Sequence, residues 1–263
     1  MPDIAFILAG FAVGLIVGLT GVGGGSLMTP ILIFFFGVKP HLAIGTDLLF
    51  AAFTKMGGTV SLARQRLVPW RVVGQLCAGS IPAALLTLAA LQKLGPASAF
   101  AQSLMTTTLG VALLLTAAAM FYKAARGKQL PRHVPEGQMH NAMRARHWSL
   151  PVLFGAVIGS LVTLTSVGAG AIGVSVLLLL FPLLPLPRIV AADIAYAVPL
   201  TLVAGLGHAS LGSVDWPLLV QLLAGSLPGI WLGTRLMRHT PERLVRSALS
   251  VLLAYAGLKL MAF

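Results

Sequence analysis

The sequence LTGVGGGS at residues 19–26 interrupts the first apolar segment of the chain. Each glycine inside a helix costs about 1 kcal/mol relative to alanine, so three in succession predict a break in a membrane-embedded helix. A second stretch, LTSVGAG at residues 164–170, interrupts a later apolar segment in the same way. Backbone amides freed by a break cannot face lipid, because lipid offers no hydrogen-bond partner. Both breaks are therefore predicted to be buried in protein or to line a polar cavity.

The composition of the chain is that of an integral membrane protein. Of the 263 residues, 57% are hydrophobic and 9% are charged, whereas a soluble domain has roughly 25% charged residues. The net charge of +12 lies mainly in loops between apolar segments, which is typical of cytoplasmic loops and argues against a nucleic-acid-binding protein. Many of the segments are long enough to cross a hydrocarbon core of about 30 Å. They are 4–19, 27–37, 42–62, 72–91, 103–122, 149–165, 171–186, 189–209, 217–237 and 245–262.

The two halves of the chain resemble each other. Four blocks recur in order, at an offset of 145 residues in the first block and 146 afterwards, and they include matched aspartates, tryptophans and prolines. The one long polar stretch lies between the halves. The sequence thus predicts a first transmembrane repeat at 1–122, a basic cytoplasmic linker at 123–148 and a second transmembrane repeat at 149–263.

The basic residues predict the topology. Arginine and lysine concentrate around residues 64–71, 123–146 and 235–246, and such loops favour the cytoplasmic side. All three can be cytoplasmic only if the chain reverses direction at the break near residues 166–170, which makes the two halves inverted relative to each other. We therefore predict an all-α integral membrane protein, a polytopic helical bundle of about eight spans (ten segments counting broken helices) with two inverted-topology repeats.

The glycine-containing breaks are candidate binding sites for an anion. A helix that starts after a break directs several N–H groups and its positive dipole end towards the adjoining cavity. The alternative is that the glycines only allow close helix packing or a tight turn. The predicted substrate-binding residues are Thr20, Gly21, Gly23, Gly24, Gly25, Ser26, Thr46, Lys55, Thr165, Ser166, Gly168 and Gly170.

Three charged residues fall inside apolar segments. A carboxylate within the membrane is costly and usually functional or paired, so Asp47 and Asp193 are candidates for proton coupling. The alternative is that each caps a helix start or has a structural partner. Lys55 could contact the anion, neutralise an aspartate or extend to the membrane surface.

The remaining polar residues give weaker signals. His208 ends a segment and is expected at the membrane interface, and Trp70 and Trp216 begin segments and are expected as interfacial anchors. No cysteine or acid accompanies the histidines of the basic loop at ligand spacing, so we expect no metal site and no cofactor. The expected partners are a small anionic substrate and the lipid bilayer, without nucleic acid; a homodimer is left open.

The motifs resemble those of the sulfite exporter TauE/SafE family. The resemblance rests on GVGGGSL at 21–27, AIGTD at 43–47, VPW at 68–70, the small residues from Ala78, and GSVDW at 212–216. It implies a transporter, mostly an exporter, of small sulfur-containing anions such as sulfite or organosulfonates across the bacterial inner membrane. It carries over to the glycines of the first motif and to Gly45 and Thr46, and more loosely to Gly168 and Gly170. Many members have a small uncharged residue where this chain has Asp47.

Three other functions are compatible with the sequence. One is an importer or a proton-coupled permease of another small anion, in which an aspartate carries the proton. Another is an intramembrane enzyme in which Asp47 and Asp193 share a proton, which requires the two carboxylates to be in near contact. The third is a passive channel. We expect a transporter rather than an enzyme.

Overall fold

The computed structural model describes residues 2–20, 25–126, 149–168, 170–236 and 242–261. These residues form ten helices and no strand, and each predicted apolar segment corresponds to one helix. The helices are α1 Pro2–Thr20, α2 Gly25–Phe36, α3 Pro40–Arg64, α4 Trp70–Leu94, α5 Ala99–Arg126, α6 Ser149–Thr165, α7 Ala171–Leu180, α8 Leu186–Ser210, α9 Trp216–Leu236 and α10 Glu242–Met261. Three predicted site residues, Gly21, Gly23 and Gly24, and most of the predicted linker lie outside the described residues.

The helices have the length and surface of a membrane protein. Four described helices contain stretches long and apolar enough to cross a bilayer, namely 70–94, 99–121, 186–210 and 216–236. Large apolar side chains are widely exposed on the outside, including Phe35 at 81% and Leu179 at 80%. A soluble monomer rarely exposes a contiguous apolar surface of this kind. The prediction of an all-helical membrane protein is confirmed.

Two helices begin in the same way in the two halves. Lys39 precedes α3 and Pro185 precedes α8, and both helices have a proline in their first turn, where a missing N–H does no harm. Asp47 and Asp193 are consequently the eighth residue of their helices, and both are buried. The hypothesis that these aspartates cap helix starts is wrong, because a capping side chain lies just before the first turn.

The long helices pack tightly across the two halves. Helix α1 lies against α9, and α4 lies against α6. A Cβ atom on Gly14 of α1 would be 2.7 Å from the Cα of Ser226, and one on Gly159 of α6 would be 2.7 Å from the Cα of Ser80. Helices in lipid associate through such close van der Waals contact between small residues. Glycine at these positions is therefore required by packing.

Helices α3 and α8 pack against each other at the centre of the molecule. Their contacts are antiparallel: His208 Cβ lies 3.1 Å from the Cβ position of Gly45, and Ile194 Cγ2 lies 3.7 Å from that of Gly58. One apolar core combines α4, α6, α7 and α8 with one side of α3, and another combines α1, α2, α9 and α10 with its other side. Helix α3, which carries Asp47 and Lys55, thus contributes to both cores.

Candidate substrate-binding site

The break between α6 and α7 has a backbone that glycine favours. Helix α6 ends at Thr165, and α7 begins at Ala171. Gly168 and Gly170 have φ angles of +136° and +140°, and Ser166 has a φ of +59°. A side chain is strained at such angles, whereas glycine adopts them readily. The prediction that the helix is interrupted between residues 165 and 171 is confirmed.

The start of α7 receives no side-chain cap from its own N-cap residue. Gly170 precedes the helix without a capping hydrogen bond from a side chain. The hydrogen bond from the Val174 N–H to the Gly170 carbonyl closes the first turn. The N–H groups earlier in the first turn have no partner within the helix. Together with the positive end of the helix dipole, they favour an anion.

Two predicted binding residues in this break have different environments. The Thr165 hydroxyl lies 2.7 and 2.9 Å from the carbonyl oxygens of Leu161 and Val167 and can donate to one of them at a time, and it accepts from the Val167 N–H at 3.1 Å. It therefore stabilises the turn. The Ser166 hydroxyl is buried, makes no hydrogen bond of regular geometry and lies beside the carboxylate of Asp47.

Asp47 links the first half of the chain to the break in the second half. Its side chain is 0% exposed, and its Oδ2 accepts a hydrogen bond of 2.5 Å from the Thr29 hydroxyl of α2. Ser166 approaches the same carboxylate from the α6–α7 break. Thr29 is thus a structural partner of Asp47, as one of the alternatives expected. A role of Asp47 in proton coupling stays a prediction.

Asp193 lies against the start of α7. Its Oδ1 contacts the Cβ position of Gly173, and its Cγ lies 3.1 Å from that position. The hydroxyl of Tyr196 lies 3.4 Å from the same point. A side chain at Gly173 would collide with the Asp193 carboxylate, so the glycine allows that carboxylate to pack directly against the first turn of α7.

Lys55 lies between the two aspartates. It is 7% exposed and is within electrostatic range of Asp193 and Asp47. Lys55 is three residues from Gly58, which adjoins Ile194, and eight residues from Asp47. At 1.5 Å per residue these separations are about 4.5 and 12 Å along α3, which places the lysine nearer Asp193. The alternative that Lys55 extends to the membrane surface is wrong, because the side chain is buried within the protein.

The contact between Gly58 of α3 and Ile194 of α8 also shows that the two carboxylates are far apart. Asp47 and Gly58 are 11 residues apart in α3, which is about 16 Å along the helix axis. Asp193 adjoins Ile194, which contacts Gly58. Two carboxyl groups must be in near contact to share a proton, so the hypothesis of an aspartyl enzyme pair is wrong.

Thr46 contacts the loop between α8 and α9. Its buried hydroxyl accepts a hydrogen bond of 3.0 Å from the N–H of Asp215, which precedes α9. The adjoining Gly45 packs directly against the backbone of Ser213 in the same loop. The Gly45-Thr46 pair therefore holds the α8–α9 loop, and substrate contact by Thr46 stays a prediction.

Replacing Thr46 with valine is expected to lower the free energy of unfolding by about 1–3 kcal/mol, because the Asp215 N–H loses its acceptor. Thermal melting of the purified protein in detergent measures this change. Thr46→Ser is the matched control, since it keeps the hydroxyl and should melt near the wild type. An unchanged melting temperature in Thr46→Val would contradict the structural role of the hydroxyl.

His208 departs from its expected place. Its side chain is 0% exposed, and its Nε2 donates to the Thr163 carbonyl of α6 at 2.9 Å. The expectation of an interfacial histidine is wrong, because the last turn of α8 is covered by α3 and α6. Trp70 and Trp216 are the first residues of α4 and α9 and are 62% and 53% exposed, so their role as interfacial anchors stays a prediction.

The first-half motif is described only at its edges. Thr20 is the last residue of α1, and Gly25 and Ser26 are the first two of α2. The predicted break itself, at residues 21–24, lies outside the described residues. Sequence reasoning missed Thr29, Gly173 and Tyr196, whose side chains or backbone meet the buried aspartates. For Thr29 and Gly173, the available signal was a polar or missing side chain shortly after a break, whereas Tyr196 lies in the next helix and has no such signal.

Comparison with known proteins decides the family. The family model described as "Sulfite exporter TauE/SafE" matches residues 6–260. The chain belongs to the sulfite exporter TauE/SafE family. The resemblance seen in the sequence motifs is confirmed over nearly the whole chain.

Relatives of this TauE/SafE protein carry transporter names. It is 35% identical to the "Probable membrane transporter protein YjnA" of Bacillus subtilis (strain 168), with 98% of this chain and 100% of the relative covered. It is 26% identical to YdhB, another probable membrane transporter protein of that strain, with 97% and 98% covered. No solved structure matches the chain significantly. The protein is a membrane transporter and not an enzyme.

Proposed function

We propose that this TauE/SafE protein exports small sulfur-containing anions, such as sulfite or organosulfonates, across the bacterial inner membrane. The observation that carries the proposal is a buried lysine near the start of a helix. Lys55 is 7% exposed, and the α7 start lies against Asp193, the carboxylate nearest the lysine. A buried cation and the positive end of a helix dipole together suit a small anion in the membrane interior.

The packing of the long helices supports two inverted repeats. Gly14 and Gly159, which are 145 residues apart, contact Ser226 and Ser80, which are 146 residues apart. The contact between α1 and α9 is thus the counterpart of the contact between α6 and α4. Equivalent contacts at the repeat offset are expected for halves related by a twofold axis. With the basic loops cytoplasmic, this arrangement accommodates about eight spans with a binding site near the midplane, as in other transporters with broken helices.

The membrane potential is the expected driving force. Moving one charge through 100 mV is worth about 2.3 kcal/mol. In a cell that is negative inside, a monoanion leaving the cytoplasm gains this energy and a dianion about twice as much. Export therefore needs no coupled ion.

Flux in proteoliposomes is expected to follow the imposed potential. With an inside-negative potential of about 100 mV, a monoanion should approach an outside-to-inside ratio of about 50, which corresponds to 2.3 kcal/mol. The measurement is efflux of radiolabelled sulfite and of an organosulfonate, with the potential set by potassium and valinomycin. Empty liposomes are the control. Flux that stays constant when the potential is reversed would argue against potential-driven export.

A proton-coupled permease is the second candidate. The buried carboxylates of Asp47 and Asp193 favour it, because import of an anion against the potential needs a coupled ion. A pH gradient at zero potential separates the two candidates. Uphill anion movement under that gradient, abolished by replacing Asp47 or Asp193 with asparagine, would support the permease and contradict an uncoupled exporter.

A further inference from the structure

Helix α6 ends at the break in the second half of the chain, where one of its last carbonyls loses its usual partner. In a continuing α-helix, the N–H of residue 167 would donate to the carbonyl of residue 163. In this chain the Val167 N–H donates to the Thr165 hydroxyl at 3.1 Å instead. The preceding N–H, that of Ser166, still follows the helical pattern with a bond of 2.7 Å to the Val162 carbonyl. The break therefore deprives the Thr163 carbonyl of its helical donor.

His208 supplies a donor to this carbonyl from a distant part of the chain. Its Nε2 lies 2.9 Å from the Thr163 carbonyl oxygen, and the two residues are 45 positions apart. Because a carbonyl oxygen only accepts, the hydrogen of the neutral ring is on Nε2. The last carbonyls of a helix commonly take a side chain as their partner. His208 of α8 is thus a cap on the broken end of α6.

The capped carbonyl lies in a buried environment. Thr163, Thr165 and His208 are each 0% exposed. Lipid offers no hydrogen-bond donor, and an unpaired carbonyl in a protein interior is destabilising. Loss of the ring N–H would therefore leave the carbonyl unpaired, or the break would have to change its shape.

The cap adjoins the residue of the break that meets Asp47. Ser166 has a φ of +59°, and its hydroxyl lies beside the Asp47 carboxylate. A residue other than glycine keeps such a backbone conformation only where its surroundings fix it. The Thr165 hydroxyl holds the next N–H along the chain, and His208 holds the carbonyl three residues before Ser166. Together they fix the backbone on both sides of the serine.

The first half of the chain has leucine at the position of the histidine. At the repeat offset of 146, His208 corresponds to Leu62. A leucine side chain donates no hydrogen bond, so a cap of this kind on the first break has to come from another residue. The two breaks are therefore chemically different at this point.

We propose that His208 is a positioning residue for transport: its Nε2–H caps the Thr163 carbonyl and so fixes the break between α6 and α7, with Ser166 beside Asp47. This inference goes beyond the proposed function, because the cap does not depend on which anion is transported. It predicts that the break requires a donor at the position of Nε2 and not an imidazole ring as such.

The test compares two amide substitutions, His208→Gln and His208→Asn. The amide nitrogen of glutamine is as many bonds from Cβ as Nε2 of histidine, whereas that of asparagine is one bond closer and matches Nδ1. The measurement is deuterium exchange of the backbone amides at residues 161–170, by mass spectrometry of the full-length protein in detergent. An unsatisfied buried acceptor corresponds to roughly a 10- to 100-fold change in an equilibrium. Exchange in His208→Asn should therefore be at least about 10-fold faster than in the wild type, and exchange in His208→Gln should be near the wild-type rate.

Sulfite flux in proteoliposomes should follow the same order. We expect His208→Gln to transport within a few-fold of the wild type and His208→Asn at least about 10-fold more slowly. The two amides differ by one methylene group and neither titrates, so a loss confined to asparagine reports the position of the donor. Failure of the asparagine variant alone to fold would support the cap in the same way.

Two outcomes would overturn the inference. One is equal exchange in the wild type and His208→Asn, and the other is an equal loss of protection in both variants. If the wild type moves no sulfite, the proposed function fails, whereas the exchange measurements still decide whether His208 fixes the break.

Discussion

Sulfite transport is expected to fall by two to three orders of magnitude when Lys55 is replaced with methionine. Among the side chains whose burial the structure describes, no other lysine or arginine is buried. Two unit charges 4 Å apart attract by about 4 kcal/mol at an effective dielectric constant of 20, or roughly a thousandfold in affinity. Methionine keeps the length and apolar volume of the lysine stem, so the loss reflects the charge.

The Lys55→Met measurement is initial flux in proteoliposomes containing equal amounts of folded protein. Lys259→Met is the matched control, because Lys259 is exposed on α10 and its ammonium lies 5.0 Å from the centre of the Phe34 ring. We expect the control to transport at nearly the wild-type rate. Transport by Lys55→Met within a few-fold of the wild type would contradict the proposed site.

A double variant separates substrate binding from structural pairing. Removing Lys55 leaves the nearby Asp193 without this positive charge, and an uncompensated buried charge is destabilising. Lys55→Met combined with Asp193→Asn should therefore melt at a higher temperature than Lys55→Met alone, while transport stays low. Recovery of transport in the double variant would show that the lysine serves only to neutralise the aspartate.

Replacing Gly79 with valine is expected to prevent assembly of the folded protein. A Cβ on Gly79 of α4 would collide with the Val152 carbonyl oxygen of α6 and lie 2.8 Å from its carbonyl carbon. Both contacts are with backbone, so the helices must separate to admit the side chain. Forcing extra atoms into a close-packed interior typically costs about 1–3 kcal/mol or more, and loss of the surrounding contacts adds to this.

Gly74→Val on the same helix is the control for this substitution. A Cβ on Gly74 meets nothing within 4 Å. Both substitutions therefore change helix propensity in the same way, but only Gly79→Val creates a collision with α6. The measurement is the yield of monodisperse protein in size-exclusion chromatography, with melting temperature for any material recovered. Normal yield and melting of Gly79→Val would contradict the tight contact between α4 and α6.

Gly225→Val tests whether the equivalent glycine of the second half is as important for helix packing as Gly79. Gly225 is the counterpart of Gly79 at an offset of 146, and its Cβ position collides with the Ile7 carbonyl oxygen of α1. We expect the same loss of folded protein as for Gly79→Val. Equal losses would support the proposed twofold relation between the halves.

Several features of the site were predictable from local sequence. The break after Thr165 follows from serine and glycine residues that disfavour helix, and the structure shows left-handed φ angles there. The charges of Lys55, Asp47 and Asp193 stand out because they interrupt apolar segments. Their partners were not predictable: Thr29 lies 18 residues from Asp47, and no periodic pattern in the sequence connects them.

By itself, the sequence determined that this chain is a helical membrane protein of the TauE/SafE family, with helices at the predicted segments and a break before α7. Hydropathy and glycine content act within a few residues, so these features are local. Only the tertiary structure decided that α1 packs on α9 and α4 on α6, that His208 is buried, and that Tyr196 faces the start of α7. In a bilayer every helix surface is apolar, so helix partners are chosen by the fit of small residues and buried polar groups between distant segments.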